Sequence, residues 1–123
     1  MKILILNGSP RLNGNTRTAL NEISQSIRSN ITGVEVELID VTKHKLSGCT
    51  NCDSCRRNGG KCVLPDDSAK IIQKIYDSEV VILGTPVYYW GISAQLKMVV
   101  DKLYSKDDQF RQQKKKLGLV TVG

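Results

Sequence analysis

The chain has 123 residues, 40% of them hydrophobic and 24% charged, and a net charge of +6. That suffices for one globular domain with its own core, and no apolar run approaches the roughly 20 residues of a membrane span. The positive charge gathers at Lys43, Lys45, Arg56, Arg57 and Lys61 and again at Arg111, Lys114, Lys115 and Lys116; with no DNA- or RNA-binding signature beside it, it reads as a solvated face, and no nucleic-acid partner is expected.

In chain order, "KILILN" (2–7) is a short apolar run ending at Gly8, the pattern of a buried strand. Leu20, Ile23, Ile27 and Ile31 follow at spacings of three and four, one face of an amphipathic helix. "VEVELID" (34–40) alternates apolar and acidic residues, which suits a half-exposed strand at a sheet edge. "PDDSAKIIQKIY" opens with proline and acidic capping residues and predicts a second helix. "VVILG" (80–84) is another buried strand. Leu96, Val99, Val100 and Leu103 mark a third helix, capped by Ser93, and "LGLVTVG" (117–123) is a last apolar strand.

This alternation predicts an α/β fold, a doubly wound parallel sheet. The alternating second strand belongs at an edge, and the first and third strands belong in the centre. Strand order 2-1-3-4, the flavodoxin-like arrangement, satisfies both. It leaves the apolar fourth strand on an uncovered edge, where a fifth strand or another chain is expected.

In such sheets ligands bind beyond the carboxyl ends of the strands where the order reverses, here the loops after strands one and three. The first, "NGSPRLNGNT" (7–16), matches neither the GxGxxG fingerprint nor the lysine-containing P-loop. It offers Ser9, Arg11, Asn15 and Thr16 as donors and runs into a helix N-terminus, which favours an anion such as a phosphate monoester. A long turn with a helix cap would use the same residue types. The second loop, "GTPVYYWGIS" (84–93), holds three of the chain's six aromatic residues in succession. Successive side chains cannot all face a core, so at least one of Tyr88, Tyr89 and Trp90 is expected to meet a ligand or partner. With Pro86 fixing a turn and Gly91 allowing close approach, recognition of a flat ring follows; packing over a helix end is the plainer alternative.

All four cysteines lie within residues 48–62 at spacing C-x2-C-x2-C-x6-C: Cys49, Cys52, Cys55 and Cys62. "MKILILNGSP" lacks the roughly 7–15 apolar residues of a secretory core, so a cytoplasmic location is expected, with these cysteines as thiols or ligands rather than disulfides. Three thiolates at intervals of three, with a fourth arriving across "RRNGGK", suit an iron–sulfur cluster; Arg56, Arg57 and Lys61 would offset its charge. A metal-free loop and a zinc site are the alternatives, though structural zinc favours two separated CxxC pairs.

A phosphate grip beside a flat-ring platform describes flavin mononucleotide. "GSPRLNGNT", "GTPVYYWGISAQLK" and "CTNCDSC…KC" together resemble the NAD(P)H-dependent FMN reductase family, and within it the iron–sulfur flavoproteins. The resemblance runs along the whole chain. It implies that Ser9, Arg11, Asn15 and Thr16 hold the FMN phosphate. It also implies that Pro86, Val87, Tyr88, Trp90 and Gly91 surround the isoalloxazine. Relatives continue past the fourth strand with a further flavin-facing loop and another βα unit, so residues 1–123 are expected to be a single FMN-binding domain that is C-terminally incomplete. The function implied is an oxidoreductase passing electrons from transient NAD(P)H through FMN, with or without a [4Fe–4S] cluster, to a small acceptor such as a quinone. The alternative is a flavodoxin-like electron carrier without a substrate. A homo-oligomer, dimer or tetramer, is expected from the family and from the uncovered edge, and His44 is expected to be a loop residue rather than a catalyst.

Overall fold

A computed structural model describes residues 1–123. The elements are β1 (Lys2–Asn7), α1 (Asn15–Asn30), β2 (Glu35–Asp40), α2 (Ser68–Tyr76), β3 (Val80–Pro86), α3 (Ala94–Lys102), α4 (Asp107–Arg111) and β4 (Lys116–Val122). Short 3-10 turns occupy 41–43, 54–57 and 103–106. All three pairings are parallel and the order is β2-β1-β3-β4. This is the flavodoxin-like α/β sheet expected from the strand patterns.

β1 is covered on both faces, which explains its unbroken apolar run. Leu4 and Leu6 join Ile71, Ile72 and Ile75 of α2, Leu96 and Val99 of α3, and Val81 of β3 in one core layer. Ile3 and Ile5 face Leu20 of α1 in the other. Each fully buried aliphatic side chain contributes about 1.5–3 kcal/mol. At the edge, β2 begins at Glu35 rather than Val34; Val36 and Leu38 pack toward the Leu20 layer and Ile39 joins the other layer.

Three local expectations change. Ile31 lies past the end of α1 and is exposed, so the apolar face of that helix is Leu20, Ile23 and Ile27. α2 starts at Ser68, whose N–H donates to Asp66 Oδ1 at 2.8 Å; the capping acid is Asp66, two residues before the helix. Pro86 ends β3 in register with Val122 instead of making a turn. Ser93 caps α3 as expected, accepting the Leu96 N–H at 3.2 Å. β4 is the exposed edge its position required, with Leu117 69% and Leu119 62% exposed.

Candidate flavin cleft and cysteine cavity

The loops after β1 and β3 are drawn together beyond the strand ends. Gly8 is the contact between them: its N–H donates to Gly84 O at 2.8 Å, and Ser93 Oγ donates to its carbonyl at 2.5 Å. A Cβ here would come within 2.8 Å of Leu96 Cβ, so glycine serves packing against α3 rather than approach to a ligand. The cleft between the loops has a volume of about 570 Å³, within the range of small-molecule sites. Ser9, Arg11, Asn15, Thr16, Pro86, Val87 and Tyr88 all line it. Sequence reasoning missed Asn13, on the first loop, and Val122 and Gly123, which reach the cleft because β4 ends beside β3.

The expected anion site stands at the start of α1. Gly14 is its N-cap, no side chain caps it, and its first turn carries no acid. The first N–H groups therefore keep their capacity for an incoming anion. Thr16 is buried at the cleft wall and Arg11 is exposed and forms no salt bridge. Ser9 also has a part in the loop's own geometry. Its hydroxyl accepts the Arg11 N–H at 3.1 Å and donates to Arg11 O at 3.4 Å, so it shapes the turn that carries Arg11.

Arg17, also in the first turn, is directed elsewhere. Its Nε and Nη2 donate to Asp40 at 2.9 and 3.2 Å, and Asn7 Nδ2 donates to the same carboxylate at 2.9 Å. Burial opposes the Asp40 charge, but the bonds from Asn7 and Arg17 outweigh it and hold the carboxyl below its ordinary range. This network ties β1, α1 and β2 together under the cleft.

The aromatic loop closes as a tight turn in which Tyr88 and Gly91 exchange both backbone hydrogen bonds, 3.0 and 3.1 Å. Tyr89 and Trp90 occupy its two central positions with φ +44 and +72, the left-handed conformation of a type I′ turn. Gly91 has negative φ and open space around it, so the conformational burden falls on the two aromatic residues. Strain of this kind costs about 1–3 kcal/mol per residue and collects at functional sites. Its result is exposure: Tyr89 is 96% and Trp90 94% exposed, and Tyr88 is exposed beside the cleft. Trp90 and Gly91 do not line the cleft wall themselves: Trp90 stands with Tyr89 at the projecting tip of the turn, and Gly91 closes its base opposite Tyr88.

The four cysteines line one separate small cavity, about 30 Å³, together with Thr50, Asn51, Asp53, Val63, Leu64, Lys102, Tyr104 and Ser105. Four soft thiols on one cavity are the donor chemistry of an iron–sulfur cluster. The space holds about one water, and no three Cys, His, Asp or Glu side chains are assembled around a common metal position. The N–H and hydroxyl of Ser54 hold the Cys52 thiol below its ordinary range. Lys102, Tyr104 and Ser105 carried no sequence signal for this cavity, because they come from the far end of α3. His44 is a loop residue, with Nδ1 3.2 Å from Asp67 Oδ2.

Comparison with known proteins bears on the fold and the family. An iron–sulfur flavoprotein of Methanocaldococcus jannaschii is 39% identical over 127 aligned residues, covering 100% of this chain and 62% of its own length. One from Archaeoglobus fulgidus is 34% identical, covering 84% of this chain and 46% of its own. The chain thus spans about half the length of the curated relatives it matches. The fold recurs in RosB with a bound riboflavin-phosphate intermediate, with a TM-score of 0.78 and 21% identity over 98% of this chain and 51% of that one. An FMN-dependent NADH-azoreductase of Bacillus anthracis in complex with FMN gives 0.64 and 16% over 83% and 55%. The model of the NADPH-dependent FMN reductase family matches residues 1–123, and the chain belongs to that family.

Proposed function

We propose that this chain is the FMN-binding part of an oxidoreductase that takes electrons from NAD(P)H and passes them to a small acceptor such as a quinone. The observation that carries this reading is the cleft at the switch point of the sheet, shared between an uncapped helix N-terminus and an aromatic turn. Bound FMN would supply the hydride and single-electron chemistry. The chain's own part is to hold it. Arg11, Asn15, Thr16 and the first N–H groups of α1 would take the phosphate, with Ser9 fixing the turn. Pro86, Val87 and Tyr88 would border the ring, with Trp90 at the tip of the turn and Gly91 at its base completing that side.

Cys49, Cys52, Cys55 and Cys62 would hold a [4Fe–4S] cluster once their cavity widened, with Arg56, Arg57 and Lys61 offsetting its charge. The names of the curated relatives and the presence of all four cysteines on one cavity support this.

The test is FMN titration followed by flavin fluorescence, then NADH and NADPH oxidation with a quinone present. Retention of FMN, weakened in Arg11→Ala and Thr16→Ala, is the expected result. Failure to bind FMN, or affinity untouched in both variants, overturns the cofactor assignment. FMN binding without nicotinamide oxidation would mark an electron carrier instead.

A further inference from the structure

The cysteine segment is a loop tied at its neck. The Lys45 N–H donates to Asp67 Oδ2 at 3.0 Å and the Asp67 N–H to Lys45 O at 2.8 Å. The Ser47 N–H and hydroxyl donate to Asp66 Oδ2 at 3.0 and 2.7 Å. Beyond the neck, residues 48–62 contribute nothing to either core layer. Within it the backbone bonds are all local, in the 3-10 turn at 54–57 and from the Gly60 N–H to Cys55 O, and none reaches from the first cysteine to the fourth. Such a segment has no internal reason to gather four thiols on one cavity.

The reason comes from outside, from the end of α3 and the residues after it. Lys102 Nζ reaches Asp66 Oδ2 at 2.8 Å and Ser68 Oγ at 2.6 Å, at the loop's neck. The Tyr104 hydroxyl donates to Asp53 Oδ1 at 2.9 Å, between the second and third cysteines. The Tyr104 ring lies 4.0 Å beneath the Arg56 guanidinium, which also donates to Asp108 Oδ2 at 3.2 Å. Gln109 Nε2 donates to Gly59 O at 3.2 Å, before the fourth cysteine. The next residue, Gly60, has φ +85, and a Cβ on it would lie 2.6 Å from Gln109 Nε2 and 2.9 Å from Ser105 O. Lys102, Tyr104 and Ser105 are also walls of the thiol cavity.

We propose that residues 102–109 are a clamp that positions the four thiols, with Tyr104 as its central positioning residue. Tyr104 fixes the loop three ways: through Asp53, through Arg56, and as a wall of the cavity. Holding donors together before a ligand arrives lowers the ordering cost of binding it. The importance of the clamp for a cluster rests on the proposed role of the cysteines; its grip on the loop does not.

The experiment compares the full chain with Tyr104→Leu, which removes ring and hydroxyl, and Tyr104→Phe, which keeps the ring under Arg56. Tyr104 is partly exposed, so both variants are expected to fold, which circular dichroism checks. In metal-free protein, hydrogen exchange across 48–62 and iodoacetamide alkylation of the cysteines should quicken about five- to tenfold in Tyr104→Leu, the loss expected for a charge-assisted bond with its stacking partner. Tyr104→Phe should recover part of it. After anaerobic iron and sulfide reconstitution, Tyr104→Leu should lose iron faster to a chelator and, once dithionite has supplied the one electron that makes the cluster paramagnetic, show a broadened electron paramagnetic resonance signal, with Tyr104→Phe between. Wild-type protein that takes up no iron defeats the ligand role of the cysteines, and exchange and alkylation then decide the clamp alone. Equal exchange and alkylation rates in Tyr104→Leu and wild type overturn the clamp.

Discussion

Lys102 and Asp66, 36 residues apart, meet as an ion pair at 2.8 Å with side chains only 1% and 5% exposed. Breaking a buried pair by removing one partner leaves the other charge uncompensated and costs about 3–5 kcal/mol, whereas replacing both with apolar residues can be nearly neutral. Lys102→Met is therefore expected to lose about that much in urea unfolding. Lys102→Met with Asp66→Leu should recover a large part, less whatever the Ser47 and Ser68 bonds to Asp66 contribute.

The same pair sets an acid limit. Burial works against the Asp66 charge, but bonds from Lys102, Ser68 and Ser47 outweigh it and hold the carboxyl well below its ordinary range. A carboxyl depressed in the fold contributes stability that is present above its unfolded value, about 3.9, and is lost as pH falls through the folded value. Stability should fall steeply below about pH 4. Asp66→Asn should be less stable at neutral pH and show a shallower acid limb in unfolding followed by circular dichroism.

The aromatic turn offers a trade of stability against function. Tyr89 and Trp90 hold positive φ, where Asn-Gly is the favoured pair. Tyr89→Asn with Trp90→Gly should stabilise the chain by about 1–2 kcal/mol through relief of strain, read as a raised thermal midpoint. The same variant should bind FMN more weakly, because the projecting tip is lost.

Gly8→Ala should cost about 1–3 kcal/mol, the range for overpacking a filled space. The added Cβ would meet Leu96 Cβ at 2.8 Å and the Gly84 oxygen at 3.0 Å. FMN affinity should fall with it, because the contact that joins the two ligand loops is disturbed. Denaturant unfolding and a flavin titration of the same variant check both effects.

Residues 1–123 expressed by themselves are expected to self-associate through the β4 edge, where Leu117 and Leu119 are exposed on a strand that pairs here on one side only. Light scattering across a concentration series should show mass rising with concentration in wild type. Leu117→Lys with Leu119→Glu should remain monomeric at the same concentrations.

The sequence by itself determined the sheet. Unbroken apolar runs at 2–7 and 80–84 required burial on both faces and hence central strands, while the alternation of Val34, Glu35, Val36 and Glu37 required an edge. Strand order and the two ligand loops followed, because burial demand and chain reversal are local properties of the sequence. α4 was not legible, since five residues are too few to show a helical period. Nor were the Asn7–Asp40–Arg17 network, the strain placed on Tyr89 and Trp90 instead of Gly91, or the turn-forming role of the Ser9 hydroxyl. Only the tertiary structure decided these, along with the contacts of Lys102 and Tyr104 to the cysteine loop. Hydrogen bonds and ion pairs act over about 3 Å, and which side chains come that close from residues as far apart as Arg17 and Asp40, or Tyr104 and Asp53, is set by packing after the sheet forms, not by spacing along the chain.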